Sequence, residues 1–163
     1  MAYTNAKSEW VDGNLVFRDK DGNVIAFLNG AAGLQHGAAY TVRRRCTIAE
    51  VNAGVTLLPA IAGFKYRMVD ASIIAVGGAA AAHTSIDILG TISTSRKLVA
   101  FLVAGTTQST LLRAGAATNG VILADGASFT ANDAGTAITV NKTGSDVTTA
   151  THVDISFTFT VEA

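Results

Sequence analysis

The chain has 163 residues, with 12 Lys plus Arg balanced by 12 Asp plus Glu, so its formal net charge is zero. Zero net charge with few aromatic residues argues against a nucleic-acid binder. The longest apolar run, Ala71 to Ala82, is about half the length of a spanning helix, so no membrane partner is expected.

The length suits one domain with a short appendage, large enough to bury a core without disulfides. Mean hydropathy is +0.37, much of it from Ala. Two readings fit that excess: extra surface buried against partners, or an Ala-rich sandwich with a thin surface. Charge is unevenly spread. Residues 43–113 hold eight Lys or Arg against three Asp or Glu, and residues 114–163 hold one against five. Cys46 is the single cysteine, which rules out an internal disulfide and fits folding in a reducing cytoplasm. The first ten residues lack the apolar segment of a signal peptide.

Residues 1–33 form a distinct N-terminal arm. Gly13 to Arg18 is echoed by Gly22 to Phe27, and the intervening Asp21-Gly22 predicts a β-hairpin. Asn29 to Gly33 reads as a joint. A lone hairpin is marginal in water. Trp10, Leu15, Phe17, Ile25 and Phe27 therefore need a cover, and a neighbouring chain is the favoured one.

Residues 34–163 read as a β-sandwich. Tyr40 to Ile48 alternates as a long strand in which Arg44 interrupts the inward set, marking a rim or a bulge. Asn52 to Gly54 turns the chain, and Val55 to Leu58 is a short strand ended by Pro59. Phe64 to Val76 is a long strand that changes face near Asp70, stopped by Gly77-Gly78. Thr84 to Leu89 and Lys97 to Val103 follow as strands. Thr107 to Arg113 fits a helical turn or a strand. Val121 to Ala124 and Ala137 to Val140 are strands, and Asn141 to Asp146 is a polar loop. From Thr151 to Glu162, Val153, Ile155, Phe157, Phe159 and Val161 alternate with polar residues without a break. Only a strand with one buried face needs that pattern. About eight strands with close turn signals predict an all-β, two-sheet, jelly-roll-like sandwich, with a generic Greek key as the alternative.

No motif predicts catalysis, so no enzyme, cofactor or small-molecule substrate is expected. Gly77-Gly78 runs into alanines rather than the Lys-Ser/Thr of a phosphate loop, and no Gly-x-Ser-x-Gly elbow occurs. His152 and Asp154 share a strand face, with His83 or Asp87 as a conceivable third metal ligand, but the spacing is loose and no metal is expected. The Asp19 to Asn23 segment fits a hairpin turn better than a calcium loop. In Arg43-Arg44-Arg45, period two places Arg43 and Arg45 together and Arg44 on the opposite face. Arg43 and Arg45 are candidates for a protein contact or for charge protection of a sheet edge. Cys46 reads as a small buried hydrophobe.

Trp10 to Phe17 followed by Asp21 to Ile25 resembles N-terminal segments of small tailed-phage virion proteins. Thr47 to Gly54, with the Ala/Gly/Thr-rich strands after it, is similar to phage head decoration (cement) proteins. The resemblance implies a jelly-roll homotrimer, made in the host cytoplasm and carried on the outer surface of the virion. There it would bridge copies of the major capsid protein, its partner besides itself. The family shares no catalytic residues. The N-terminal hairpin also suits a fibre or head-attachment module binding a receptor or glycan. Tyr40, Phe64 and Tyr66 are the aromatics such a module would use in the body, although they read more easily as core.

Overall fold

The computed structural model describes residues 7–11, 14–18, 21–22, 24–29, 38–90, 97–114, 121–122 and 132–162. Twelve strands and one short helix are found there: β1 (Lys7–Val11), β2 (Asn14–Arg18), β3 (Val24–Asn29), β4 (Ala39–Thr47), α1 (Ile48–Ala53), β5 (Val55–Leu58), β6 (Lys65–Val76), β7 (Ala80–Leu89), β8 (Lys97–Leu102), β9 (Leu111–Arg113), β10 (Val121–Ile122), β11 (Ile138–Thr149) and β12 (His152–Glu162).

Two antiparallel sheets form a sandwich, in the orders β10-β8-β7-β11-β5 and β4-β12-β6-β9. The pairing is nested. β4 pairs with β12, β5 with β11, β6 with β9 and β7 with β8, as in one long hairpin folded over on itself. That nesting is the expected jelly roll, and β10 adds a short strand outside it, so the described residues of the sandwich hold nine strands, in line with the expected count of about eight.

The core follows from the alternation on β12. Val153, Ile155, Phe157, Phe159 and Val161 are all at most 2% exposed. They meet Ile73, Ile86, Ile88, Phe101 and Val140 in one apolar cluster. Each such side chain contributes about 2–3 kcal/mol on leaving water. Phe159 packs edge-on against Tyr66 with centroids 5.3 Å apart and stacks on Phe157 at 5.8 Å. On β6, Tyr66 and Met68 point inward, then Ala71, Ile73 and Ala75 do. The β12–β6 register shifts between Thr158 and Phe159 to accommodate this, and Val69 is 58% exposed at the bulge. The expected change of face near Asp70 is this bulge.

Three expectations are corrected. Asn141 to Asp146 is not a loop: it lies within β11, whose ladder with β7 runs through register shifts on both sides of Gly144. β7 begins at Ala80, before the expected Thr84. Ile48 opens α1 rather than ending β4. Thr47 Oγ1 accepts from the Glu50 N–H at 3.2 Å and the Thr47 N–H donates to Glu50 Oε2 at 2.8 Å, a reciprocal cap that starts the helix. The expected N-terminal hairpin is present as β2 and β3, and Lys7–Val11 pairs with β2 to extend it to a three-stranded sheet, β1-β2-β3. Thr107 to Arg113 resolves as a turn followed by β9.

Candidate binding face

The two outer faces of the sandwich differ. On β12 the outward residues alternate as half-buried polar side chains. On β7 the outward His83, Ser85, Asp87 and Leu89 are buried as thoroughly as the inward Ile86 and Ile88. The four-stranded sheet therefore presents the open polar face.

Cross-strand register orders that face into rows. Arg45, Asp154, Ile74 and Leu111 form one; Arg43, Ser156, Ser72 and Arg113 form the next; Thr41, Thr158 and Asp70 form a third. Arg45 donates to both Asp154 oxygens, at 2.8 and 2.9 Å, a bidentate pair. These hydrogen bonds hold the Asp154 carboxyl below the usual range, against an opposing effect of burial. Arg113 Nη2 lies 2.6 Å from Asp70 Oδ2, and Arg67 pairs with Glu162. Arg43 is exposed and has no acidic partner among the described residues. Arg43, Arg45, Asp154, Ser156, Ser72, Ile74 and Leu111 line a shallow depression of about 640 Å³.

Arg44 points the other way, as period two requires. Its Nη1 donates to the Thr56 carbonyl at 2.5 Å and its Nη2 to Glu50 Oε1 at 3.1 Å. It thereby ties the β4 edge to β5 and α1, and an inward charge on an edge strand discourages further strand addition. The two Thr47 hydrogen bonds, with a further one from Arg44, hold Glu50 below the usual carboxylate range. Burial pushes the neighbouring Cys46 thiol up, so it is a core group and not a nucleophile. A smaller hollow of about 240 Å³ opens between β4 and β5, walled by Tyr40, Val42, Leu58, Pro59, Tyr66 and Phe159. Tyr66 is 1% exposed and donates to the Pro59 carbonyl, and burial raises its pKa to about 12.

The sequence reading missed a polar cluster on the buried side of β7. Asp87 accepts from Ser85 Oγ at 2.7 Å and from Thr143 Oγ1 at 2.6 Å, and Lys97 Nζ lies 2.9 Å from Asp87 Oδ2. Lys97 also donates to Thr143 at 2.7 Å. Both carboxylate oxygens are engaged, which makes the cluster a structural clamp across three strands. A carboxylate between Ile86 and Ile88 was its signal in the sequence.

His152 and Asp154 do share a face, with Nε2 and Oδ1 3.8 Å apart, but His83 and Asp87 lie on the other sheet. No group of three or more His, Cys, Asp or Glu is placed to hold a metal among the described residues. In the N-terminal sheet Trp10 pairs in register with Leu15, and Ser8 with Phe17. Phe27 pairs with Val16, not with Leu15 or Phe17. Trp10 is 69% exposed, Leu15 and Phe17 are half-buried, and the side chains of Ile25 and Phe27 lie outside the described residues.

No protein-family model matches the chain. No curated protein matches it either. Among solved structures, a chain in the acidic stable capsid structure of Helicobacter pylori bacteriophage KHP30 is similar, at 15% identity over 77% of this chain and 89% of that one, with a TM-score of 0.39. A likeness that distant carries no functional argument.

Proposed function

We propose that the chain is a non-enzymatic structural protein of a phage virion. In this reading it decorates the outer capsid surface as a homotrimer and bridges copies of the major capsid protein. The observation that carries the reading is Trp10, 69% exposed on the same register rows as Leu15. A large aromatic left in water on the N-terminal sheet, whose Val16 is buried in the core cluster, is the kind of anchor that binding interfaces bury. Attachment at many symmetric positions would turn a modest single-site affinity into firm retention.

The test is co-sedimentation of the full chain with capsids, compared with Trp10→Ser and with a chain lacking residues 1–33. Both variants are expected to stay in the supernatant while the intact chain pellets. If the shortened chain pellets as well as the intact one, the arm is not the tether. Light scattering is expected to give a trimer mass. The alternative, a fibre module that binds a glycan, also draws on Trp10, because an exposed indole can stack on a sugar ring. Glycan-array binding lost in Trp10→Ser would favour it.

A further inference from the structure

We infer that the open face of the four-stranded sheet, centred on Arg43, docks an acidic segment of a partner protein. The inference deepens the proposed capsid-binding role, on which it rests for the partner's identity.

Charge complementarity identifies the occupant. The outward side chains of this sheet include Arg43, Arg45, Lys65, Arg67 and Arg113, against Asp70, Asp154 and Glu162. All three carboxylates are committed, to Arg113, Arg45 and Arg67. Arg43 has none. The nearest acid in the adjoining row, Asp154, is gripped at both oxygens by Arg45. The sheet therefore cannot neutralise Arg43 from its own residues. Across the strands Arg43 faces the hydroxyls of Ser156 and Ser72, which offer further hydrogen bonds to a carboxylate. A carboxylate placed there gains a charge-assisted, forked hydrogen bond.

The far side of the same depression is aliphatic. Ile74 and Leu111 line it, and Leu111 is 59% exposed. From β4 to β9 the face is three strand spacings wide, about 14 Å, which an extended chain crosses in about four residues. The occupant is thus a segment with a carboxylate and an aliphatic side chain about four residues apart when extended. An acidic sugar fits less well, since no aromatic ring lines the depression.

The test is an amide NMR titration of the ¹⁵N-labelled full chain with the capped peptide Glu-Gly-Ser-Ser-Leu. Lys-Gly-Ser-Ser-Leu and glucuronic acid serve as controls. The Glu peptide is expected to shift Arg43, Ser72, Ile74, Leu111 and Ser156. Arg43→Ala is expected to weaken binding by about tenfold or more, and Arg43→Glu to abolish it. Arg43 is exposed, so these variants keep the fold. Absence of shifts, shifts that persist in Arg43→Glu, or an equal response to the Lys peptide overturns the proposal. So does a response to glucuronic acid alone, which would mark a sugar site. Capsid co-sedimentation separates the two levels. Capsid binding that Arg43→Glu leaves unchanged overturns this docking face and leaves the decoration role standing. Peptide binding without capsid binding supports the face and counts against the decoration role.

Discussion

The Lys97 ammonium lies 2.9 Å from a carboxylate, that of Asp87, whose side chain is only 2% exposed. Two hydroxyls complete the shell of Asp87, and they come from β7 itself and from β11. The cluster therefore staples β8, β7 and β11 side by side. Removing one charge strands the other in a poorly solvated site. Lys97→Met is expected to cost about 3 kcal/mol, because breaking a buried pair costs more than the pair contributes. Asp87→Leu combined with Lys97→Met is expected to recover most of that loss. Urea denaturation of the two single variants and the double variant tests this, and a double variant worse than either single one would refute the clamp.

His83 sits two residues before Ser85 on the same buried side of β7, 4% exposed. Its Nδ1 lies 3.3 Å from the Ala81 carbonyl, and its Nε2 has no hydrogen-bond partner among the described residues. Burial lowers its pKa, outweighing the opposing effects of that carbonyl and of Asp87. The folded chain thus keeps His83 neutral at pH values where the unfolded chain protonates it. The stabilisation is complete above the ordinary value of 6.5 and drains away as pH falls through and below it. Denaturant unfolding between pH 7.5 and 5 is expected to show declining stability that flattens in His83→Leu. An equal slope in wild type and variant would place the titration elsewhere.

How far the fold was legible depends on where period two survives. The alternation from Val153 to Val161 is unbroken because β12 lies between β4 and β6 with one face in the core. The face change near Asp70 was readable because the apolar set switches from even to odd positions there. β11 was misread because residues 143–146 are exposed and polar, and tertiary pairing with β7 overrode local composition. β1 gave no periodic signal because all five of its residues are exposed. At the candidate face, the separation of Arg43 and Arg45 from Arg44 followed from strand geometry alone. The company Arg43 keeps did not. Ser72 and Leu111 arrive there through β12–β6–β9 register, which long-range pairing sets.

α1 depends on a signal that was present in the sequence but easily absorbed into β4. Thr47 and Glu50 form a reciprocal cap, and Glu50 also accepts from Arg44. Thr47→Ala removes one half of the cap and is expected to cost about 1 kcal/mol. Glu50→Gln keeps hydrogen-bonding capacity but weakens the Arg44 contact, so its cost is expected to be smaller than that of Glu50→Ala. Thermal unfolding of the three variants orders them. A neutral Thr47→Ala would mean that packing of Val51, fully buried in the core, holds the helix without its cap.

The turn from β6 into β7 carries the chain between the two sheets on Gly77 and Gly78. Gly78 has φ of +149°, and a Cβ there would sit 2.8 Å from the Thr149 carbonyl oxygen, a backbone atom that cannot rotate away. Gly63 also has positive φ, at +77°, but a Cβ there meets nothing within 4 Å. The two glycines separate backbone strain from steric exclusion. Gly63→Ala is expected to cost about 1 kcal/mol, from its left-handed backbone alone. Gly78→Ala is expected to cost about 2 kcal/mol more, because the end of β11 must also move. The movement would reach the end of β7, since Thr149 and Ala80 are paired in register. Hydrogen exchange gives an independent reading: Gly78→Ala is expected to speed exchange of the Thr151 amide, which donates to the Val76 carbonyl at 2.9 Å. Gly63→Ala is expected to leave it unchanged. Equal costs for the two substitutions would mean that the contact with Thr149 relaxes freely, and the turn would then be held by conformation alone.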